Sequence, residues 1–232
     1  MVISLLSIII PTYMEGMNIC SLLSRIEEVM QGYDFEILVV DDDSPDGTAE
    51  QARKCGENYG NVRVYVRKGV RDLGSAIIYG FKKAGGDVLA VMDADFQHPP
   101  ELLPVMYEKV LEDADIVVAS RYVEGGSVEG WSFYRKLCSR IAILIFHFLF
   151  PSLRFVKDPV SGFFVVKRSV IQGVDLNPIG FKVLVEILVK GKYRRLVEVP
   201  FVFSSRKAGS SKLGLGTILR YLYHVLLLRL KL

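Results

Sequence analysis

Cysteine is scarce: the 232-residue chain carries three, Cys20, Cys55 and Cys138. They stand singly, with no CxxC or Cys/His spacing. Neither a zinc site nor a stapled scaffold is encoded, and the odd count points to reduced thiols in a cytosolic setting. Long apolar runs are also missing, although half of the residues are hydrophobic and mean hydropathy is +0.30. The longest uncharged apolar run, Ile141 to Leu153, is 13 residues and includes His147 and Pro151, whereas a membrane-spanning helix needs about 20. Arg220, His224, Arg229 and Lys231 interrupt the stretch Ile218 to Leu232. The start, MVISLLSIIIPTY, lacks the basic segment and small-residue cleavage site of a secretory signal. The expectation is no transmembrane helix and no signal peptide.

Acid is absent from two long segments. Residues 130–157 hold five basic residues (Arg135, Lys136, Arg140, Arg154, Lys157) and no carboxylate; residues 199–232 hold six (Arg206, Lys207, Lys212, Arg220, Arg229, Lys231) and none. Without those eleven, 18 basic residues face 26 acidic ones, a net of −8, so the overall +3 conceals two basic, apolar segments on an acidic body. Anionic membrane surfaces and phosphate ligands attract such patches. No aromatic series interleaves with a basic stripe, so nucleic-acid binding gains no support.

The familiar phosphate loops are missing as well. Pro11-Thr12-Tyr13 stands where a GxGxxG would follow the first strand, and Gly69 to Ser75 has Walker spacing without the lysine. What the first 120 residues do have is alternation. Apolar runs at Leu5–Ile10, Phe35–Val40, Val62–Val66, Val88–Met92 and Ile116–Ala119 read as buried strands. Helical patterns near 18–31, 46–58, 73–84 and 100–112 lie between them, with Asn18 and Thr48 as capping residues. This pattern predicts a mostly parallel sheet covered by helices on both faces, with ligands beyond the carboxyl ends of its strands. Beyond residue 120 come a Gly-rich loop at 124–126, a basic-then-apolar helix near 133–150 and a strand near 160–166. A short helix near 181–190, a strand near 195–202, a Gly/Ser/Lys loop at 206–214 and a final helix at 217–232 complete one elaborated domain, 1–232.

Two strand ends carry the chemistry. The second finishes Asp41-Asp42-Asp43-Ser44-Pro45-Asp46-Gly47, and the fourth finishes Asp93-Ala94-Asp95-Phe96-Gln97-His98. Acids at i and i+2 of an extended segment face the same side, which predicts that Asp93 and Asp95 converge, with Gln97 continuing the spacing. Adjacent carboxylates repel unless a cation intervenes, and oxygen ligands favour Mg²⁺ or Mn²⁺ over zinc. Single aspartates at such places commonly cap turns, and His98 reads as a packing residue beside the acids. His147 and His224 read as core or interfacial residues, and Trp131 as a headgroup anchor or a packing residue.

Taken in order, IIIPTYME (8–15), VDDDSPDGT (40–48), DADFQHPPE (93–101), Ser120-Arg121-Tyr122, Gly130 to Arg140, DPVSG (158–162) and RKAGSSKLG (206–214) span nearly the whole chain. This ordered set resembles the inverting glycosyltransferase family 2, and within it the polyprenol-phosphate glycosyltransferases of the dolichol-phosphate mannose synthase type. The lone DxD is short and common; the set is specific. The resemblance implies a single GT-A-type (Rossmann-like) α/β domain. It implies that Pro11, Tyr13, Glu15, Val40 and Asp42 form the nucleobase and ribose pocket. Asp93, Ala94, Asp95 and Gln97 form the diphosphate–metal site, with Asp95 and Gln97 as direct ligands of Mg²⁺ or Mn²⁺. Arg206 and Lys212 lie on a loop that closes on the nucleotide sugar, and Arg121, Arg135 and Ser139 take the lipid phosphate.

The implied activity moves mannose from GDP-mannose to dolichyl phosphate, or another sugar such as glucose from its UDP donor to a polyprenyl phosphate. A nucleotide-sugar-binding subunit without turnover is the non-enzymatic alternative. A polyprenyl phosphate is already an anionic nucleophile, so the implied catalytic set is Asp93, Asp95, Gln97 and Arg121, without a protein nucleophile. Its task is to bring two anions together and stabilise the departing diphosphate. Helices 133–150 and 217–232 suit the plane of a bilayer interface. The implied location is peripheral, on the cytoplasmic face of a membrane, with a small membrane protein as a possible partner.

Overall fold

The computed structural model describes residues 4–204 and 215–231. Arg206 and Lys212 lie outside the described residues. Nine strands and eight α-helices, with a 3₁₀ turn at Pro151–Leu153, follow in the order β1 (Leu6–Thr12), α1 (Gly16–Val29), β2 (Phe35–Asp41), α2 (Thr48–Gly56), β3 (Val62–Val66), α3 (Leu73–Lys83), β4 (Val88–Val91), α4 (Leu102–Leu111) and β5 (Ile116–Ser120) among the described residues. After these come β6 (Ser127–Val128), α5 (Phe133–Leu149), β7 (Phe164–Lys167), α6 (Arg168–Ile171), α7 (Val183–Lys190), β8 (Leu196–Pro200), β9 (Val202–Phe203) and α8 (Leu215–Leu230).

Seven strands make one sheet, ordered β3-β2-β1-β4-β7-β5-β8; β7 alone runs antiparallel to both neighbours. All seven residues of β1 are buried, as a central parallel strand with both faces covered requires. Its side chains alternate between two cores. Leu6, Ile8 and Ile10 meet α1 and α4 through Ile19, Leu22, Ile26, Leu103 and Met106. Ile9 faces the other side, where Ile77 and Phe81 of α3 share a core with residues of α5, α7 and α8. Gly80 allows that approach, because a Cβ there would lie 2.5 Å from the Ile9 side chain. The mostly parallel, doubly covered sheet expected from the alternation is therefore the observed fold.

Three expectations are revised. The strand anticipated near 160–166 starts only at Phe164, because Ser161 N–H donates to Asp158 O (3.2 Å) and its hydroxyl to Ala119 O (2.7 Å), closing a turn. The strand anticipated near 195–202 is two strands: β8 ends at Pro200, which has no N–H to continue the ladder, and β9 pairs with β6 instead. The third revision concerns the cysteines. Cys20 and Cys55 form a disulfide, with Cα atoms 5.6 Å apart, while Cys138 is free. Spacing could not foretell the bond, which arises because α1 and α2 lie side by side. The thiol count consequently carries no argument about compartment.

Closing a loop with a sequence separation of 35 stabilises a chain by about 3–4 kcal/mol on loop-entropy grounds. Cys20→Ser is expected to lower the urea midpoint accordingly, and dithiothreitol should do the same to the parent chain but nothing to the variant. Three titratable thiols in the unreduced, unfolded chain would contradict the bond.

Candidate active site

The strand order reverses between β1 and β4, so the crevice at their carboxyl ends is the place where the fold opens to a ligand. On one side, two loops are bound to each other. Asp41 accepts from Thr12 Oγ1 (2.8 Å), Ser44 N (2.8 Å) and Ser44 Oγ (2.6 Å), holding a loop in which Asp43 has φ 53°. Asp46 accepts from Gly16 N (3.0 Å), Thr48 N (3.1 Å) and Thr48 Oγ1 (2.6 Å), joining the starts of α1 and α2. Burial works against its charge, but these donors together hold the carboxyl below its ordinary value. Both aspartates are thus committed to loop geometry.

Asp42 is buried beside Arg67, whose Nε and Nη2 lie 2.7 and 2.6 Å from Oδ1, and Oδ2 accepts from Asp72 N (2.9 Å). Burial raises its pKa despite that guanidinium. Pro11 is buried at the end of β1, and Tyr13 and Glu15 are half-buried on the loop that follows. Arg71 lies 4.7 Å from the Tyr13 ring centroid, and Glu15 accepts from Asn18 Nδ2 at 2.8 Å. Val40 is wholly buried in the core, so its side chain packs and presents no surface.

Across the crevice the chain leaves the extended conformation after β4. Phe96 has φ 60°, and Asp95 Oδ1 accepts from Gln97 N at 3.1 Å. β4 ends at Val91 and the chain bends over 94–98, so Asp93 and Asp95 lie beyond the extended segment; the Asp93 side chain is 37% exposed and Asp95 5% exposed. Ala94 is buried, and Gln97 is buried with its Nε2 donating to Ser204 O (2.8 Å). His98 holds the segment in place. Its Nδ1 accepts from Asp93 N (2.9 Å), its Nε2 is 3.7 Å from Asp93 Oδ2, and its ring stacks on Phe163 at 5.1 Å. Burial pushes its pKa down to about 3, so the ring stays neutral and Nδ1 stays an acceptor. The packing role expected for His98 is the observed one.

Next to this segment the structure gathers cations. Arg121 is buried and makes a two-pronged pair with fully buried Asp158, Nε to Oδ2 and Nη2 to Oδ1 both at 2.7 Å; its own N–H also donates to Oδ2 (3.0 Å). Burial alone would lower the guanidinium pKa, but Asp158 outweighs it and the net direction is upward. Trp131 lies 5.3 Å from the Arg121 guanidinium and 4.1 Å from that of Arg135, with Phe203 against its edge at 5.2 Å. Trp131 is therefore part of a packed stack. Ser139 accepts from Tyr122 OH at 2.9 Å. Lys182, just before α7, interacts electrostatically with Arg121, Asp158, Asp93 and Arg135.

The structure thus brings Asp93, Arg121 and Arg135 together, and Ser139 reaches the same cluster through Tyr122. It adds two residues that sequence reasoning did not place in the site. Asp158 left two traces: it opens the DPVSG segment (158–162) and is the first carboxylate after the acid-free segment 130–157. Lys182 left none. A recess of about 550 Å³ beside Asp87, Lys167 and Arg168 lies at the opposite ends of the strands. There the Arg168 guanidinium closes α3 by donating to the carbonyls of Phe81, Ala84 and Gly86, and Lys167 lies 3.3 Å from Asp115 Oδ1.

A doubly covered sheet thus carries Asp93, Asp95 and clustered cations at its switch point. Residues 7–174 match glycosyl transferase family 2, and the chain belongs to that family. It is 53% identical over 219 residues to the dolichol-phosphate mannosyltransferase of Pyrococcus furiosus, covering 94% of this chain and 62% of that protein's length. The dolichol-phosphate mannosyltransferase of Saccharomyces cerevisiae is 36% identical over 228 residues, covering 93% of this chain and 84% of the yeast protein. The fold is that of a Mycobacterium tuberculosis glucosyl-3-phosphoglycerate synthase solved with Mn²⁺, UDP and glucosyl-3-phosphoglycerate. The TM-score is 0.74 at 21% identity, over 97% of this chain and 80% of that one.

Proposed function

We propose that the chain transfers mannose from GDP-mannose to dolichyl or another polyprenyl phosphate, with inversion at the anomeric carbon. The observation that carries this reading is the cluster of Arg121, Arg135 and Lys182 beside Asp93. Clustered cations beside a carboxylate that can share a metal ion are what a site needs to hold two phosphate-bearing substrates at once. The names of the Pyrococcus and yeast relatives supply the sugar and the lipid.

The donor set fits a hard divalent cation such as Mg²⁺ or Mn²⁺: carboxylates from Asp93 and Asp95, and the amide oxygen of Gln97, whose nitrogen end is identified by its bond to Ser204 O. When bound, such an ion neutralises charge on the departing diphosphate. The chain's own part is positional. Tyr13, Glu15 and Asp42 border the nucleoside side of the crevice, with Arg206 and Lys212 assigned to donor closure. Arg135 and Ser139 border the acceptor side, and Asp158 fixes Arg121 so that its guanidinium cannot swing away.

The lipid end follows from α5 and α8, each of which buries one stripe and leaves large apolar residues outside. Ile143 and Phe146 of α5 face the core, while Phe133, Leu144 and Phe148 are 81, 66 and 77% exposed. Tyr221, Val225 and Leu228 of α8 are buried, while Leu219 and Leu230 are 63 and 83% exposed, and Tyr221 OH donates to Ala142 O of α5 (2.8 Å). His224 is buried with them, its Nε2 3.7 Å from Glu186 Oε2. Lys136, Arg140 and Arg220 accompany the exposed apolar residues. Such helices lie in the interface plane, and no helix among the described residues is long and apolar enough to cross a membrane. The reading assigns the chain to the cytoplasmic face, with a small membrane protein as a further partner.

Calorimetric titration checks the donor half. GDP-mannose should bind in the presence of Mg²⁺ or Mn²⁺ and weaken at least about tenfold in EDTA, as expected when a bound cation supplies several kcal/mol to phosphate recognition. Tighter binding of UDP-glucose would overturn the donor, and indifference to EDTA would overturn the metal.

A further inference from the structure

We propose that Lys182 is a phosphate-binding residue of the acceptor site, acting alongside Arg135; this rests on the transferase reading above. Lys182 immediately precedes α7, and its Nζ donates to Val160 O in the turn that follows Asp158. The Phe181 ring centroid lies 4.5 Å from that nitrogen. An ammonium has three N–H donors, and among the described residues one hydrogen bond is made. Of the two carboxylates acting on it, Asp158 has both oxygens taken by Arg121.

The charge balance points the same way. The charged groups acting most strongly on Lys182 are Arg121, Asp158, Asp93 and Arg135. With Lys182 itself, that is three cations against two carboxylates. Burial, followed by the neighbouring Arg121, lowers the lysine pKa to about 7. An incoming phosphate dianion would relieve both penalties, by supplying opposite charge and by accepting the remaining N–H groups. Lys182 is also anchored where that phosphate must arrive. Its own carbonyl contact belongs to the turn whose Asp158 fixes Arg121, and Arg135 stands on the same side, over Trp131.

A bland role is available, in which Lys182 only props the turn through Val160. The test therefore separates charge from support. With GDP-mannose saturating and a short-chain polyprenyl phosphate varied, Lys182→Met and Lys182→Gln should raise the acceptor KM roughly 10- to 100-fold, the loss of one charge-assisted hydrogen bond. Donor Kd should stay within about twofold, as expected for a group that the donor does not touch. Lys182→Arg, which keeps the charge, should recover most of the loss. An unchanged acceptor KM in Lys182→Gln would overturn the proposal, as would parallel loss of donor binding, acceptor use and thermal stability in both neutral variants. If the parent chain makes no product, the transferase reading fails, and calorimetry with the same polyprenyl phosphate decides Lys182 by itself. Weaker binding in Lys182→Gln than in the parent supports it; equal binding, or none to the parent, overturns it.

Discussion

Asp95→Ala is expected to cut sugar transfer by at least about 10²–10³-fold, the scale on which removal of a single transition-state stabilising group is felt. Asp95 is buried at the turn after β4, and its Oδ1 orients the Gln97 N–H. Removing the carboxylate therefore takes away one oxygen donor and loosens a second. Asp95→Asn keeps the shape and an oxygen for the Gln97 N–H, but not the charge. It should retain the circular dichroism and thermal midpoint of the parent chain while losing metal-dependent donor binding. An Asp95→Asn protein that turns over normally would remove Asp95 from the metal site and leave it a turn residue.

The second large effect lies in the Arg121–Asp158 pair. Removing one partner of a buried ion pair commonly costs about 3–5 kcal/mol, because the other charge is left without compensation. Asp158→Ala is the severe case. It leaves a guanidinium enclosed by Tyr122, Trp131 and Phe203, and removes an acceptor from the Arg121 backbone N–H as well. Adding Arg121→Met to Asp158→Ala should recover a good part of the stability, since neither charge then remains. It should not recover transfer. A denaturation cycle over the parent, both single variants and the double variant measures the coupling. Additive losses, with no rescue in the double variant, would show that the two residues do not act as a pair.

The β1, β2, β3, β4 and β5 segments were legible because each is a short apolar run bounded by polar loops, and buried parallel strands look like that. Their order in the sheet sets Pro11 and Tyr13 beside Asp93, so the crevice at the strand ends was legible too. Beyond the strand ends, local chemistry takes over. The Asp95–Gln97 turn and the His98 ring bend the DAD segment, and a period-two argument has no access to either.

Contacts distant in sequence were the least visible. Asp158 meets Arg121 across 37 positions and Gln97 meets Ser204 across 107; Cys20 meets Cys55 only because two helices pack. Lys182 resembles any lysine at a helix start until the sheet brings it to Asp93 and Arg121. Family likeness supplied residue types and order for Arg135 and Ser139, and the structure adds that Trp131 stacks on one while Tyr122 reaches the other.

The most direct measurement is transfer of radiolabelled sugar by the purified chain. GDP-mannose and UDP-glucose would be compared as donors, with dolichyl phosphate in detergent or vesicles and either Mg²⁺ or EDTA. The account predicts an organic-extractable mannolipid formed from GDP-mannose with Mg²⁺, little from UDP-glucose, and loss of product in EDTA. Donor binding without lipid product from either sugar would contradict it, reducing the chain from a self-sufficient transferase to a nucleotide-sugar-binding component.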